Sequence, residues 1–89
     1  MNKTELKSWP LHAGRTDWGN RRTVGKSWYQ VGTFVSFRGI CNIMMEPRFT
    51  IISTVVGGRE HKLTIYGPVT PRGVSVRCGS LLKQLNENQ

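Results

Sequence analysis

The run Phe49–Val56, followed at once by Gly57-Gly58, is the sequence feature that most constrains the fold. Its residues are β-branched or aromatic at every position except one serine, which is typical of a strand. The two glycines supply the positive φ angles that a tight hairpin turn requires, and Glu60–Tyr66 then returns as the next strand. The sequence therefore predicts an antiparallel hairpin over residues 49–66.

Further short strands are predicted on both sides of this hairpin. Trp28–Arg38 is predicted as a strand interrupted by one glycine, and Val74–Cys78 as a last strand with alternate residues inward. Cys41–Pro47 is predicted as a connecting loop, and Ser80–Leu85 as one or two helical turns. A chain of 89 residues with four or five short strands predicts one all-β domain, a small barrel or sandwich.

Residues 1–27 differ in composition from the rest of the chain. Glycine, proline and charged residues interrupt any regular pattern there, so we expect a basic, partly ordered N-terminal arm with Trp9 and Trp18 as anchors. Residues 28–85 are expected to form the barrel, and residues 86–89 a polar tail. This boundary predicts that a fragment beginning at Lys26 folds cooperatively without the arm.

Two segments carry a resemblance to SH3-like barrels. The run Tyr29–Phe37 resembles their opening strand, and Gly73–Leu85 resembles their ending of a strand, a 3₁₀ turn and a short pairing. A similar ending occurs in the plasmid-borne type II dihydrofolate reductases, but Ser75-Val76-Arg77 stands where that family has the Gln-Ile-Tyr that binds folate. The resemblance therefore implies a small SH3-like barrel over residues 28–85, and it does not imply the reductase activity.

The balance of charges points to the class of partner. Lysine and arginine outnumber acidic residues by 13 to 5, which gives a formal net charge of +8, concentrated towards both ends of the chain. Such an excess favours a polyanion, either DNA or RNA, as the partner. An acidic protein surface is one alternative, and a basic surface without a specific ligand is another. Either a monomer or a homodimer is expected.

Membrane, metal and cofactor binding are not predicted. The apolar runs are far shorter than the ~18 residues of a membrane span, and Met1–Lys7 lacks the apolar segment of a signal peptide. We therefore expect a cytoplasmic protein, in which the thiols of Cys41 and Cys78 stay reduced. These cysteines, with His12 and His61, lack the spacing of a zinc site, so neither a metal nor another cofactor is predicted.

Two groups of residues are candidates for contact with nucleic acid. The first lies in the arm, where guanidinium groups would pair with phosphates and a tryptophan would stack on a base. The second is the outward face of the last two predicted strands, where Lys62, Thr64, Tyr66, Ser75 and Arg77 would share one surface. The candidates are Arg15, Trp18, Arg21, Arg22, Lys26, Lys62, Tyr66, Arg72 and Arg77. Alternatively, the tryptophans cover an end of the barrel, and the polar residues are those of any half-buried strand.

The sequence gives little support to catalysis. The acidic residues show no paired spacing, and there is no phosphate-binding loop or nucleophile motif, so an enzyme is not predicted. The leading prediction is a small nucleic-acid-binding regulatory or accessory protein of the kind that phages and plasmids encode. The alternative is a small inhibitor that docks on a host nucleic-acid-processing enzyme. A third is a toxin-like endoribonuclease that uses His12 or His61, with Arg72 or Arg77 stabilising the phosphorane.

Overall fold

A computed structural model describes residues 14–87 and confirms the all-β class with a C-terminal helix. The strands follow the apolar and β-branched runs of the sequence, and one helix completes the described chain. The elements are β1 (Gly14–Trp18), β2 (Arg22–Val24), β3 (Ser27–Ser36), β4 (Gly39–Met45), β5 (Phe49–Val56), β6 (Arg59–Tyr66) and α1 (Pro71–Glu87).

The strands form one antiparallel sheet in the order β1-β3-β4-β5-β6. The long strand β3 pairs with two strands along the same edge: β2 runs beside its first residues, and β1 runs beside its last residues. Within residues 14–87, β1 and β6 thus lie at opposite edges of the sheet. The resemblance to SH3-like barrels stays a prediction.

The predicted hairpin over residues 49–66 is confirmed. Gly57 and Gly58 adopt φ angles of 62° and 76°, which residues with a Cβ atom rarely adopt. The turn sets the register of β5 and β6, with Val56 opposite Arg59 and Phe49 opposite Tyr66. Lys62 and Tyr66 therefore point to one face of β6, as the alternation of the sequence predicts.

One face of the sheet is covered by α1, and the hydrophobic core lies between them. Side chains from β3, β4, β5 and β6 alternate into this layer, and the helix adds one stripe of its own. The buried apolar residues are Phe34, Cys41, Ile43, Met45, Ile52, Ile65, Val74, Cys78 and Leu82.

The prediction of a strand over Val74–Cys78 is wrong, because this segment belongs to α1. The helix begins at Pro71, whose fixed φ and missing N–H suit a first helical position. The hydroxyl of Thr70 accepts a hydrogen bond of 3.0 Å from the N–H of Gly73 and so caps the helix. The predicted helical turns over Ser80–Leu85 are confirmed, as part of this longer helix.

Two other segments differ from the predicted layout. The predicted loop Cys41–Pro47 is wrong over most of its length, since Gly39–Met45 is the strand β4 and its alternate residues enter the core. The expected arm is wrong from residue 14 onwards, because β1 and β2 pair with β3 and the partly buried Trp18 packs against the core. Residues 1–13, with Trp9 and His12, lie outside the described residues, as do residues 88–89.

Candidate functional site

The face of the sheet opposite α1 is a second surface, which we call the open face. Its members follow from alternation, since each is the sequence neighbour of a residue that points towards the helix. They are Arg15 and Asp17 of β1; Tyr29, Val31, Thr33 and Val35 of β3; Ile40, Asn42 and Met44 of β4; Phe49, Ile51, Ser53 and Val55 of β5; and Glu60, Lys62, Thr64 and Tyr66 of β6.

A polar row crosses the middle of the open face. The register places Asp17, Thr33, Asn42, Ser53 and Lys62 directly opposite one another on five successive strands. The row ends in a carboxylate on β1 and an ammonium group on β6. It therefore presents hydrogen-bonding groups across the whole width of the sheet.

Apolar rows lie on both sides of the polar row. On one side, Val31, Met44 and Ile51 are paired across β3, β4 and β5 and, with the polar row, line a shallow groove of ≈530 Å³, the central groove. On the other side, Ile40 and Val55 are 53% and 64% exposed. Exposed apolar residues that are aligned in rows across several strands are typical of a binding site, because exposed apolar residues on other surfaces are usually scattered singly.

One end of the open face is aromatic. Phe49 lies opposite Tyr66, and Tyr29 lies on the same face of β3, opposite Arg22 of β2. The side chain of Tyr66 is 82% exposed, so its ring is free to stack on a ligand. This end therefore combines three aromatic rings with a guanidinium group.

A second groove, of ≈440 Å³, lies at this aromatic end, and we call it the Trp28 groove. Its walls are Val24, Ser27, Trp28, Tyr29, Met44 and Glu46. Met44 lines both grooves, so they are adjacent. The guanidinium carbon of Arg21 lies 3.9 Å from the centroid of the Trp28 ring, a cation–π contact that helps to hold the ring in place.

The structure brings several of the predicted contact residues to this side of the sheet. Lys62 and Tyr66 lie on the open face, and Arg22 lies opposite Tyr29 at its aromatic end. Arg15 also lies there, with its Nε atom 3.4 Å from Oδ1 of Asp17, but both side chains are mostly exposed. Since an exposed ion pair contributes little, Arg15 can exchange Asp17 for another anion. Lys26 is exposed in the turn between β2 and β3.

The other candidates lie elsewhere. The prediction that Lys62, Thr64, Tyr66, Ser75 and Arg77 share one surface is wrong, because Ser75 and Arg77 belong to α1 on the opposite side. Arg72 is likewise exposed in the first turn of α1.

Trp18 is a packing residue. It lies opposite Gly32, and a methyl group on that glycine would come within 2.6 Å of ring atom Cε3 of Trp18. With Arg72 it also lines a groove of ≈410 Å³ between β1 and the start of α1. The alternative that Trp18 covers the hydrophobic interior therefore describes it better than a role in base stacking.

The thiols of Cys41 and Cys78 are buried in the core between β4 and α1, and both are free. A hydrogen bond with Cys41, together with burial, raises the pKa of the Cys78 thiol. Residues 14–87 contain no cluster of three or more His, Cys, Asp and Glu side chains that could hold a metal ion. They also contain no helix that is long and apolar enough to cross a membrane.

Sequence reasoning missed the apolar and aromatic part of the open face, namely Tyr29, Val31, Met44, Phe49 and Ile51. The signal was present in β5, where Phe49 and Ile51 alternate with the buried Thr50 and Ile52, so that both faces of this strand carry apolar side chains. Such a strand needs a partner on each face. Comparison of the chain with protein-family models, curated proteins and solved structures finds no match.

Proposed function

We propose that this protein is a nucleic-acid-binding regulatory or accessory protein, and that its open face binds single-stranded DNA or RNA. The observation that carries the proposal is the aromatic and apolar surface of this face, which α1 leaves uncovered and whose edges carry the cations of Arg15, Arg22 and Lys62 together with two carboxylates. Base–aromatic stacking favours unpaired strands, because the faces of the bases in a duplex are already stacked on their neighbours.

The side chains divide into two roles. The rings of Tyr29, Phe49 and Tyr66 offer stacking surfaces at one end, and the apolar rows accept the edges of further bases. Arg22 and Lys62 lie where they can pair with phosphates, and the amide and hydroxyls of the polar row can bond to sugars and base edges. The net charge of +8 supports the same partner, since it attracts polyanions over a distance.

Fluorescence anisotropy with labelled oligonucleotides of about 12 nucleotides tests the proposal, because single-strand sites span roughly 4–16 nucleotides. We expect single-stranded DNA or RNA to bind more tightly than duplex DNA. Met44→Glu places a charge in the middle of the open face and should weaken binding at least about tenfold, or about 1.4 kcal/mol. Lys83→Gln, at an exposed position of α1, changes the net charge by the same amount. This control variant should bind like the parent protein.

A second candidate function rests on the strip of Val35, Ile40 and Val55, exposed apolar residues of the open face that the polar row separates from the aromatic end. The strip ends opposite Arg15 on one side and Glu60 on the other. In a chain with a net charge of +8, such an apolar strip also suits an acidic protein partner, as expected of a small inhibitor of a nucleic-acid-processing enzyme. This candidate predicts no appreciable affinity for duplex DNA, single-stranded DNA or RNA at low salt. That result would refute the nucleic-acid proposal.

A further inference from the structure

Glu46 is an acidic residue in an otherwise basic part of the molecule. It follows β4 directly, and its backbone N–H donates a hydrogen bond of 2.9 Å to the carbonyl of Phe49, which fixes the turn into β5. Its side chain is half-buried and lines the Trp28 groove. Within residues 14–87, its carboxylate has no hydrogen-bond or ion-pair partner.

A carboxylate at the wall of a groove without a protein partner favours a ligand that donates hydrogen bonds, because both of its oxygens are available as acceptors. The rest of the groove is suited to a flat ring: Tyr29 supplies aromatic surface, and Val24 and Met44 supply apolar contacts. Trp28 lines the groove from β3, but its ring packs against the core on the other face of the strand. Its volume of ≈440 Å³ falls within the range of about 300–1,000 Å³ that is typical of small-molecule sites.

The surrounding charges decide against a cationic occupant such as a lysine or arginine side chain. Arg22 is paired across from Tyr29, and Lys26 precedes Ser27 in the adjoining turn. These two cations would repel another cation and would attract the phosphates on either side of a bound base.

We propose that the Trp28 groove binds one unpaired guanine base of the strand that crosses the open face, a proposal that rests on the proposed function. The Watson–Crick edge of guanine carries two adjacent donors, N1–H and the N2 amino group, which match the two oxygens of the Glu46 carboxylate. Adenine and cytosine present one amino donor beside an acceptor nitrogen, and thymine or uracil presents one donor between two carbonyls. A carboxylate therefore pairs fully with guanine alone.

The position of the groove agrees with a single strand as the ligand. Because Met44 lies between the two grooves, the nucleotides next to a base in the Trp28 groove can reach the central part of the open face. In a duplex, the guanine edge that Glu46 would read is already paired with cytosine. Recognition by this edge thus requires an unpaired base, as in other single-strand readers.

The test measures the affinity for thymine oligonucleotides of about 12 nucleotides that carry one guanine, adenine or inosine at the same position. We expect guanine to raise the affinity about 5- to 150-fold over thymine alone, which is the range for one bidentate base contact. Inosine lacks the N2 amino group and should lose much of this gain. This arm of the experiment needs no protein variant.

The protein arm uses Glu46→Gln, with Glu60→Gln as the matched control. Both changes remove one negative charge, and Glu60 is exposed on the open face near the opposite end of the sheet. Glu46→Gln should abolish the preference for guanine and leave the affinity for the all-thymine strand unchanged or slightly higher. Glu60→Gln should keep the preference.

The outcomes separate the two proposals. Binding of all oligonucleotides without a preference for guanine, or a preference that survives Glu46→Gln, would overturn the guanine site and leave the proposed function standing. If the parent protein binds no oligonucleotide at all, both proposals fail together. A thermal melt of each variant ensures that a lost preference reflects the carboxylate and not the fold.

Discussion

Two pairs of exposed cations lie on opposite sides of the sheet, and their removal should affect binding to nucleic acid differently. Arg22 and Lys62 belong to the open-face side, while Arg72 and Arg77 belong to α1. Each double substitution by alanine lowers the formal net charge of +8 by two. The two double variants therefore differ in the location of the lost charge and not in its amount.

The expected size of the effect follows from counterion release. Each phosphate of a single strand that is neutralised by a cation contributes about 0.7 to the slope of log affinity against log salt concentration. If Arg22 and Lys62 each pair with one phosphate, the open-face double variant should lose about 1.4 from that slope. Between 50 and 200 mM salt, its affinity should then fall about sevenfold less than that of the parent protein.

Anisotropy titrations of one labelled single strand at four or five salt concentrations give the slope for each protein. The helix double variant should keep the parent slope, because its cations lie on the covered side of the sheet. Equal slopes for both double variants would mean that the strand responds to the overall charge and not to the open face. A flatter slope for the helix variant alone would place the phosphates on α1 and refute the reasoning.

Three further perturbations test single features of the structure. Tyr66→Ala should weaken binding to single strands by about 1–3 kcal/mol and hardly affect duplex binding, whereas Tyr66→Phe keeps the ring and should bind normally in the same titrations. Gly32→Ala should force Trp18 to move, lower the free energy of unfolding by about 1–3 kcal/mol in a denaturant titration and shift the tryptophan emission. Cys41 and Cys78 should react with a thiol reagent only as fast as the protein opens, because burial protects both and the raised pKa of Cys78 keeps its thiol protonated. Rapid labelling under native conditions would contradict that burial.

The hairpin of β5 and β6 could be predicted from the sequence because its determinants are local. Gly57 and Gly58 fix the turn, the turn fixes the register, and the alternation along β6 then places Lys62 and Tyr66 on one face. Each of these steps uses residues that are neighbours in the chain. No knowledge of the rest of the fold is required.

The strand predicted over Val74–Cys78 is wrong because this segment satisfies two periods at once. Val74, Val76 and Cys78 alternate as in a strand, but Val74, Cys78 and Leu82 also recur every fourth residue as on one face of a helix. The start signal of Thr70 and Pro71 decides in favour of the helix, because it caps the first turn. If only the residues up to Cys78 are considered, the two-residue period of a strand is the more obvious one, because Leu82 is needed to establish the repeat of every fourth residue.

The open face could be predicted in part only, because its existence depends on where the single helix packs. The alternation shows that β5 is apolar on both faces, but it does not show which face α1 covers. The last predicted strand is in fact part of α1, and this helix covers one face of the sheet. Within residues 14–87, no second helix or sheet covers the other face. The residues that remain uncovered are apolar on both sides of a polar row, aromatic at one end and edged by charged groups that include Arg22 and Lys62, and water is a poor partner for the apolar part of such a surface. A partner with flat apolar rings and a charged backbone satisfies all three properties together, which is why the uncovered face, and not the net charge alone, is the stronger argument for a nucleic-acid strand.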